Sequence, residues 1–395
     1  MGDERMDALG GKTPIEAAST PVIDRLAREG EQLLVHTVPV GYPPGSDVAN
    51  LSLFGYEPEK YYTGRAPLEA ASMGVKIDRD ELAFRCNLVT VERRADQMTM
   101  LDYSAGHITT VESTALIEAI QECCGNERLH FYPGISYRHL MIFKGDPPQL
   151  NTVPPHDFMD KDVAGFYNEY LQVDDLKKML EKTTSVLAEH PVNRERIARG
   201  KNPANGIWLW GEGKSPVMET MTERFGIRGS LISAVDLLKG LGICAGLAVP
   251  EVKGATGYID TNYEGKVEAA LQALQNGDLA IVHLEGPDEA GHQGVLEDKV
   301  QAIRDLDSRV VAPIVESLEQ SGEEFRLVVT MDHYTPLAMR THVDWPVPMV
   351  LYDSRGVSQP SGLSYSEANA KAAVMENGLE LESGAAFFNR FIHGT

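Results

Sequence analysis

Short, unbroken apolar runs are interleaved with amphipathic stretches through the second half of this sequence. The runs Leu279–Leu284, Phe325–Met331 and Pro348–Tyr352 alternate with the helical patterns Gly265–Gln275 and Glu297–Glu319. Runs without polar alternation describe strands buried on both faces, and the interleaved helices are what covers such a sheet. In Glu297–Glu319 the residues Val300, Ile303, Val310, Val311, Ile314 and Leu318 fall mostly on one face, as a covering helix requires. The strand Ile207–Trp210 and the helix Ile232–Lys239 extend the pattern upstream. Near the start, Thr20-Pro21 reads as a cap and first-turn proline for a helix Pro21–Glu29 that Gly30 stops, followed by a strand Leu33–Val38. The expected fold is an α/β layered core around a mostly parallel sheet.

Between residues 78 and 175 the pattern changes to strand-like Phe84–Val91, a helix Ser113–Cys123, strands Leu129–Tyr132 and His139–Lys144, and a proline-rich passage Pro147–Pro155. Strands, a helix and more strands predict a smaller α+β domain inserted in the core. The expected organisation is a core of residues 1–77 and 176–395 around an insertion of residues 78–175, which suits a length of 395 residues when domains run to roughly 100–200.

Charge narrows the function. With 36 Lys and Arg against 58 Asp and Glu the formal net charge is -22, and no basic cluster interrupts it, so neither nucleic acid nor an anionic membrane surface is an expected partner. The longest apolar candidates, such as Gly242–Pro250, fall far short of the roughly 20 residues of a membrane span. The opening residues have no signal-peptide pattern, and the 4 cysteines have no framework or ligand spacing, so a reducing cytoplasm is the expected compartment. An anionic ligand of such a protein needs cations in its pocket, from arginines, metals or both.

Ligands of parallel α/β sheets bind beyond the carboxyl ends of the strands. Leu279–Leu284 runs into Glu285-Gly-Pro-Asp288-Glu-Ala-Gly-His292, and Phe325–Met331 runs into Asp332-His333; Arg340-Thr-His342 follows in a loop. Asp288 and His292, four residues apart, share a helical face and can grip one cation. Carboxylates mixed with imidazoles suit manganese, zinc, iron or cobalt, although each pair taken alone also fits a turn or cap. Ser46, in the loop Gly41–Asn50 ahead of a helical turn Asp47–Leu53, is a candidate nucleophile or an N-cap. The Walker, dinucleotide, nucleophile-elbow and HExxH signatures are absent.

In order along the chain, Gly-Gly-Lys-Thr-Pro14, Pro-Pro-Gly-Ser46-Asp-Val-Ala-Asn50, Tyr-Tyr-Thr-Gly-Arg65, Phe-Arg-Cys-Asn-Leu-Val-Thr90, Tyr-Ser-Ala-Gly-His107, Gly-Ile-Ser-Tyr-Arg138, Gly-Ala-Thr-Gly-Tyr258, Pro-Asp288-Glu-Ala-Gly-His292, Asp332-His333 and Arg-Thr-His342 resemble the archaeal-type, cofactor-independent (2,3-bisphosphoglycerate-independent) phosphoglycerate mutases of the alkaline phosphatase superfamily. The resemblance covers essentially the whole chain. It implies an alkaline phosphatase-like sheet between helices with an inserted domain, and interconversion of 2-phosphoglycerate and 3-phosphoglycerate through a phosphoserine on Ser46. It implies two divalent metals, manganese first with magnesium, cobalt or zinc as alternatives. Asp288, His292 and His342 would hold one, and Ser46, Asp332 and His333 the other. His107 would transfer a proton or contact the phosphoryl group, while Arg65, Arg138 and, less directly, Lys214 would bind the small-molecule phosphoglycerate; for each arginine a surface ion pair is the alternative. A cleft that closes over the intermediate is the expected means of excluding water.

Family members open on an apolar strand ending in Asp-Gly-Met, whose aspartate the resemblance makes a ligand of the serine-side metal. Met1-Gly2-Asp3-Glu4-Arg5 resembles the residues just after it. On that resemblance a strand and a ligand are missing, with substitution by Asp3 the less expected alternative, and weak turnover and poor stability, both restored by upstream residues, are expected. The competing expectations are a homoserine kinase-like phosphotransferase, a metal-dependent phosphatase and an inactive truncated relative.

Overall fold

The computed structural model describes residues 1–94, 96–145 and 150–394. Of the proline-rich passage expected at 147–155, residues 147–149 lie outside the described residues. The chain packs as two compact units, residues 1–62 with 218–395, and residues 63–217. The strands are β1 (Glu31–Val35), β2 (Glu81–Arg94), β3 (Gln97–Asp102), β4 (Leu129–Tyr132), β5 (Arg138–Lys144), β6 (Gly206–Gly213), β7 (Gly229–Ile232), β8 (Leu279–Val282), β9 (Arg326–Val329), β10 (Val347–Asp353) and β11 (Glu380–Leu381).

In the discontinuous unit the sheet order is β11-β1-β10-β9, with β7 and β8 as a separate parallel pair. β11 runs parallel to β1, while β10 runs against both β1 and β9. All five residues of β1 are buried, so its polar members need partners: Glu31 accepts from Arg390 at 2.7 Å, and the Gln32 amide donates to Leu363 O at 2.9 Å. Leu33, Val35, Val329, Val347 and Met349 form the core with Ile303, Val311 and Val315 from the covering helix.

That helix runs from Leu296 to Ser321 and contains a π-helical turn at Leu306–Val311. Pro313 follows the turn; a proline cannot donate and crowds the carbonyl four residues back, which favours such a widened turn. The turn has a use. Its Asp307 accepts from the Ile23 amide at 2.7 Å, capping the helix Pro21–Glu29, whereas Thr20, the expected cap, makes no side-chain cap bond. Ile232, expected to open a helix, instead closes β7, and the helix starts at Asp236.

Residues 63–217 hold an antiparallel sheet of order β3-β2-β5-β4 with β6 on β2. The unit is wider than the span 78–175 expected from sequence because both flanks pack on β2. The strand read at Ile207–Trp210 belongs to this sheet as β6, paired from Val89↔Gly206 to Ala83↔Gly213. The helix Arg65–Ser72 sends Ala66 and Ala70 against Ala83, Leu140 and Ile142. Helices Thr110–Cys124 and Asp174–Glu189 supply Leu116, Ile117, Ile120, Leu176, Met179 and Leu180 to a core with Phe84, Cys86, Leu88, Met141 and Phe143. The first starts three residues before Ser113 because Thr109 and Glu112 form a capping box. Among the described residues no helix is long and apolar enough to cross a membrane.

Two buried polar groups give tests of these packing arguments. The Lys299 ammonium, fully buried, donates to Asp3 Oδ2 at 2.6 Å, Thr335 O at 2.8 Å and Gly2 O at 3.1 Å. Lys299→Met leaves the Asp3 carboxylate buried and unpaired, an expected loss of about 3–5 kcal/mol in chemical denaturation; a loss below 1 kcal/mol contradicts the assignment. His139 on β5 is buried, and burial pushes its pKa down to about 3. Its Nδ1 accepts from the Gly134 amide at 3.0 Å, and its Nε2 has no hydrogen-bond partner among the described residues. The folded chain therefore holds His139 neutral where the unfolded chain, with a pKa near 6.5, takes a proton. Stability falls as pH drops below about 6.5, by up to about 1.4 kcal/mol per unit. The slope between pH 6 and 4, followed by tryptophan fluorescence in urea, should flatten in His139→Gln; equal slopes refute the account.

Candidate metal centre and hydroxyl nucleophile

Ser46 is the first residue of the helix Ser46–Leu53, which follows a loop rich in glycine and proline. Its Oγ lies 3.0 Å from His333 Nε2. One helical turn on, Asn50 shares the serine's face: its amide donates to Ser46 O at 2.9 Å and to Asp332 Oδ2 at 2.9 Å. Asp332 Oδ2 is in turn 3.4 Å from His333 Nε2, so hydroxyl, carboxylate and imidazole converge beyond the end of β9.

The helix Gly286–Gln293, just after β8, carries Asp288 and His292. Asp288 Oδ2 is 3.3 Å from His292 Nε2, and Asp288 Oδ1 is 3.5 Å from His342 Nε2 and 3.9 Å from His333 Nδ1. The Nε2 atoms of His292 and His342 face each other at 2.8 Å, and the His333 and His342 rings lie 3.8 Å apart. Ligand atoms of Asp288, His333 and His342 lie within 4.8 Å of one another. All six residues read as metal ligands from the sequence thus gather in one cluster, with His333 reaching both the Ser46–Asp332 side and the Asp288 side.

The donor set fits a cation. The Asp288 and Asp332 side chains are each 18% exposed, and among the described residues neither has a lysine or arginine ion-pair partner. Burial alone would raise the Asp332 carboxyl, but the charges of His333, His283 and His342 bring it below the usual carboxylate range. Asp288 goes well below that range: hydrogen bonds from His292 and His342 and the charge of His333 outweigh burial. His292 shows the reverse, pushed up to about 9 by Asp288 and the Arg340 carbonyl despite burial. Its Nδ1 is held at 3.0 Å from Arg340 O, which leaves Nε2 directed at the cluster.

Several supporting residues escaped the sequence reading. Thr335 hydrogen-bonds the Asp288 carboxylate through its hydroxyl and lies 3.4 Å from His333 Nδ1. Asn50 was visible only as part of a motif; its spacing of four from Ser46 was the available signal. Asp3, considered as a replacement ligand, is instead tied to Lys299 and to the Leu337 amide.

The remaining site residues lie in the other unit. Ala105, Gly106 and His107 have successive φ values of 49°, 67° and 47°, and a non-glycine residue in that region costs about 1–2 kcal/mol. The loop is pinned from inside: the Asp102 carboxylate accepts from Ser104 N at 2.8 Å and Gly106 N at 2.7 Å, and the buried Arg196 donates to Ala105 O. His107 itself is exposed. Arg65 pairs with Glu69 at 3.2 Å, Arg138 lies 5.5 Å over the Tyr137 ring, and the exposed Lys214 follows the end of β6, its carbonyl accepting from Thr63 Oγ1 at 2.6 Å.

Comparison with known proteins bears on this cluster. Residues 27–193 match the family model for 2,3-bisphosphoglycerate-independent phosphoglycerate mutase. A probable enzyme of that name from Geobacter sulfurreducens is 50% identical over 383 residues, covering 96% of each chain. The Methanosarcina acetivorans enzyme of that name is 49% identical over 366 residues, covering 92% of this chain and 91% of its own. Among solved structures, a protein from Pyrococcus horikoshii superposes with a TM-score of 0.81 at 28% identity over 99% of this chain and 94% of its own. The cofactor-independent phosphoglycerate mutase of Thermoplasma acidophilum gives 0.59 at 25% identity, covering 96% of each. The chain belongs to the 2,3-bisphosphoglycerate-independent phosphoglycerate mutase family.

Proposed function

We propose that Ser46 carries the reaction of this family, interconversion of 2-phosphoglycerate and 3-phosphoglycerate, as a transient phosphoserine beside two divalent metal ions. The enzyme is an isomerase acting on a small molecule. The observation that carries the reading is the 3.0 Å approach of Ser46 Oγ to His333 Nε2 within a cluster of carboxylates and imidazoles. Asp288, His292 and His342 would hold one ion, and Asp332, His333 and Ser46 the other, with manganese the first choice for such a mixed oxygen and nitrogen set. Bound divalent metals lower the pKa of a coordinated hydroxyl and neutralise phosphoryl oxygens.

The chain's own residues do the rest. Asn50 fixes Asp332 against the first turn of the serine's helix, so hydroxyl and carboxylate keep one spacing. The amino end of that helix favours the negative charge that a phosphoserine brings. Arg65, Arg138 and Lys214 would bind the substrate, and His107, on its strained loop, would contact the phosphoryl group or move its proton. Expected retention of the group on the enzyme separates a mutase from a phosphatase.

Incubation with manganese and 3-phosphoglycerate should give 2-phosphoglycerate in an enolase-coupled assay and a phosphoryl group on the Ser46 peptide by mass spectrometry. Both signals should vanish in Ser46→Ala. Turnover that survives this substitution rejects the serine; free phosphate outrunning isomerisation makes the chain a phosphatase. Thr335→Val keeps every proposed ligand but frees Asp288 from its hydroxyl partner. Manganese affinity by titration calorimetry should fall about 10- to 100-fold, as when other outer partners of ligands are removed. Unchanged affinity removes Thr335 from the centre.

A further inference from the structure

Arg85 is a largely buried cation whose fork makes no hydrogen bond at its outer end among the described residues. It sits on β2, 5% exposed, and its Nε lies 2.8 Å from Glu69 Oε2 at an angle that makes an ion pair and not a hydrogen bond. Nε is enclosed without a hydrogen bond, whereas the two terminal nitrogens, for which the described residues provide no hydrogen bond, are not enclosed. A guanidinium carries five donors, and a fork held open at its outer end presents two of its nitrogens to a ligand in place of water.

The surroundings are built to hold it in place. The Arg85 guanidinium lies 4.1 Å from the centroid of Trp210, and the Trp210 Nε1 donates to Asn87 Oδ1 at 3.1 Å, which fixes the indole. Glu69 takes Arg65 Nε at 3.2 Å on its other oxygen, and the Arg65 guanidinium is 5.6 Å from the same Trp210 ring. Arg138, paired across the sheet with Asn87, acts through its charge on both Glu69 and Arg85. Two guanidinium groups therefore share one carboxylate, and the charge of a third, Arg138, acts on it, in a chain of formal charge -22. Burial and the neighbouring cations bring the Arg85 pKa down to about 10, which still leaves it charged at neutral pH.

We infer that Arg85 is a further substrate-binding residue, its open fork receiving the carboxylate of the phosphoglycerate in two parallel hydrogen bonds. Glu69 and Trp210 are its positioning residues. A planar fork matches a carboxylate better than it matches a tetrahedral group. The inference rests on the mutase reading of the chain.

Arg85→Lys keeps the charge beside Glu69 and loses the fork. The double variant Arg85→Gln with Glu69→Gln removes both charges together, so a folding defect from an unpaired Glu69 does not arise. In either folded variant KM for 3-phosphoglycerate should rise roughly 10- to 100-fold, the value of about one charge-assisted hydrogen bond, with kcat much less affected. Inhibition by D-glycerate should weaken in parallel, while inhibition by inorganic phosphate should not. Calorimetric titration of 3-phosphoglycerate into the EDTA-treated protein separates this site from the reaction. If Arg85 governs that binding but no isomerisation occurs, the mutase reading fails and the carboxylate site stands. Wild-type KM and wild-type binding in both variants overturn the site, as does equal weakening of phosphate inhibition, which would assign the fork to phosphate.

Discussion

Two mostly buried carboxylates, Asp288 and Asp332, face imidazoles and, among the described residues, pair with no lysine or arginine. Much of the surrounding architecture serves to keep that arrangement. Asn50 spends its amide on the serine's carbonyl and on Asp332, and Thr335 spends its hydroxyl on Asp288. The Arg340 carbonyl, at a residue with φ of 55°, sets the ring of His292. Beneath them the Lys299–Asp3 pair anchors the loop that carries Thr335 by bonding the Thr335 carbonyl and the Leu337 amide. A cluster of donors with a charge deficit is stable in this geometry only when its frame resists collapse, and a frame of hydrogen-bonded backbone supplies that resistance.

The frame follows from where secondary-structure elements end. β8 and β9 stop beside one another's polar clusters, and the residues that follow leave the sheet in a helix and in a turn. Functional side chains then hang from short, well-fixed segments. In the other unit the loop Tyr103–Ile108 uses strain for the same end. Three successive left-handed residues present His107 outward, and buried Arg196 holds the carbonyls of the first two, Ala105 and Gly106. Such backbone is retained where surrounding contacts over-determine it.

Local pattern carried part of this. The apolar runs located β4, β5, β9 and β10 to within a few residues, because burial on a sheet imposes composition along the strand itself. The polar residues just past β8 and β9 disclosed the cluster for the same reason. Pattern was silent where the deciding interaction is distant in sequence. β6 reads as a core strand, and only its pairing with β2, more than a hundred residues away, puts it in the other sheet. Thr20 has the right chemistry for a cap, yet Asp307 takes the amide, since the π-helical turn brings a carboxylate to it. Lys299 looks like any surface lysine on an amphipathic helix; its three partners, Gly2, Asp3 and Thr335, have no sequence signature.

Charge placement resolves an apparent conflict between protein and substrate. A chain of formal charge -22 repels a phosphorylated carboxylate at long range, and screening at physiological salt limits that repulsion to roughly 8 Å. What decides binding is then the sign of the field inside each pocket. One unit concentrates carboxylates and imidazoles, a donor set whose charge suits a cation. The other brings Arg65 and Arg85 onto one glutamate and one indole, with the open end of the Arg85 fork making no hydrogen bond among the described residues. Glu69 costs that cluster one charge, and in exchange it fixes the orientation of two forks. For recognising a planar carboxylate, orientation outweighs the lost charge, because a bidentate bond forms only when both nitrogens are aimed before the ligand arrives.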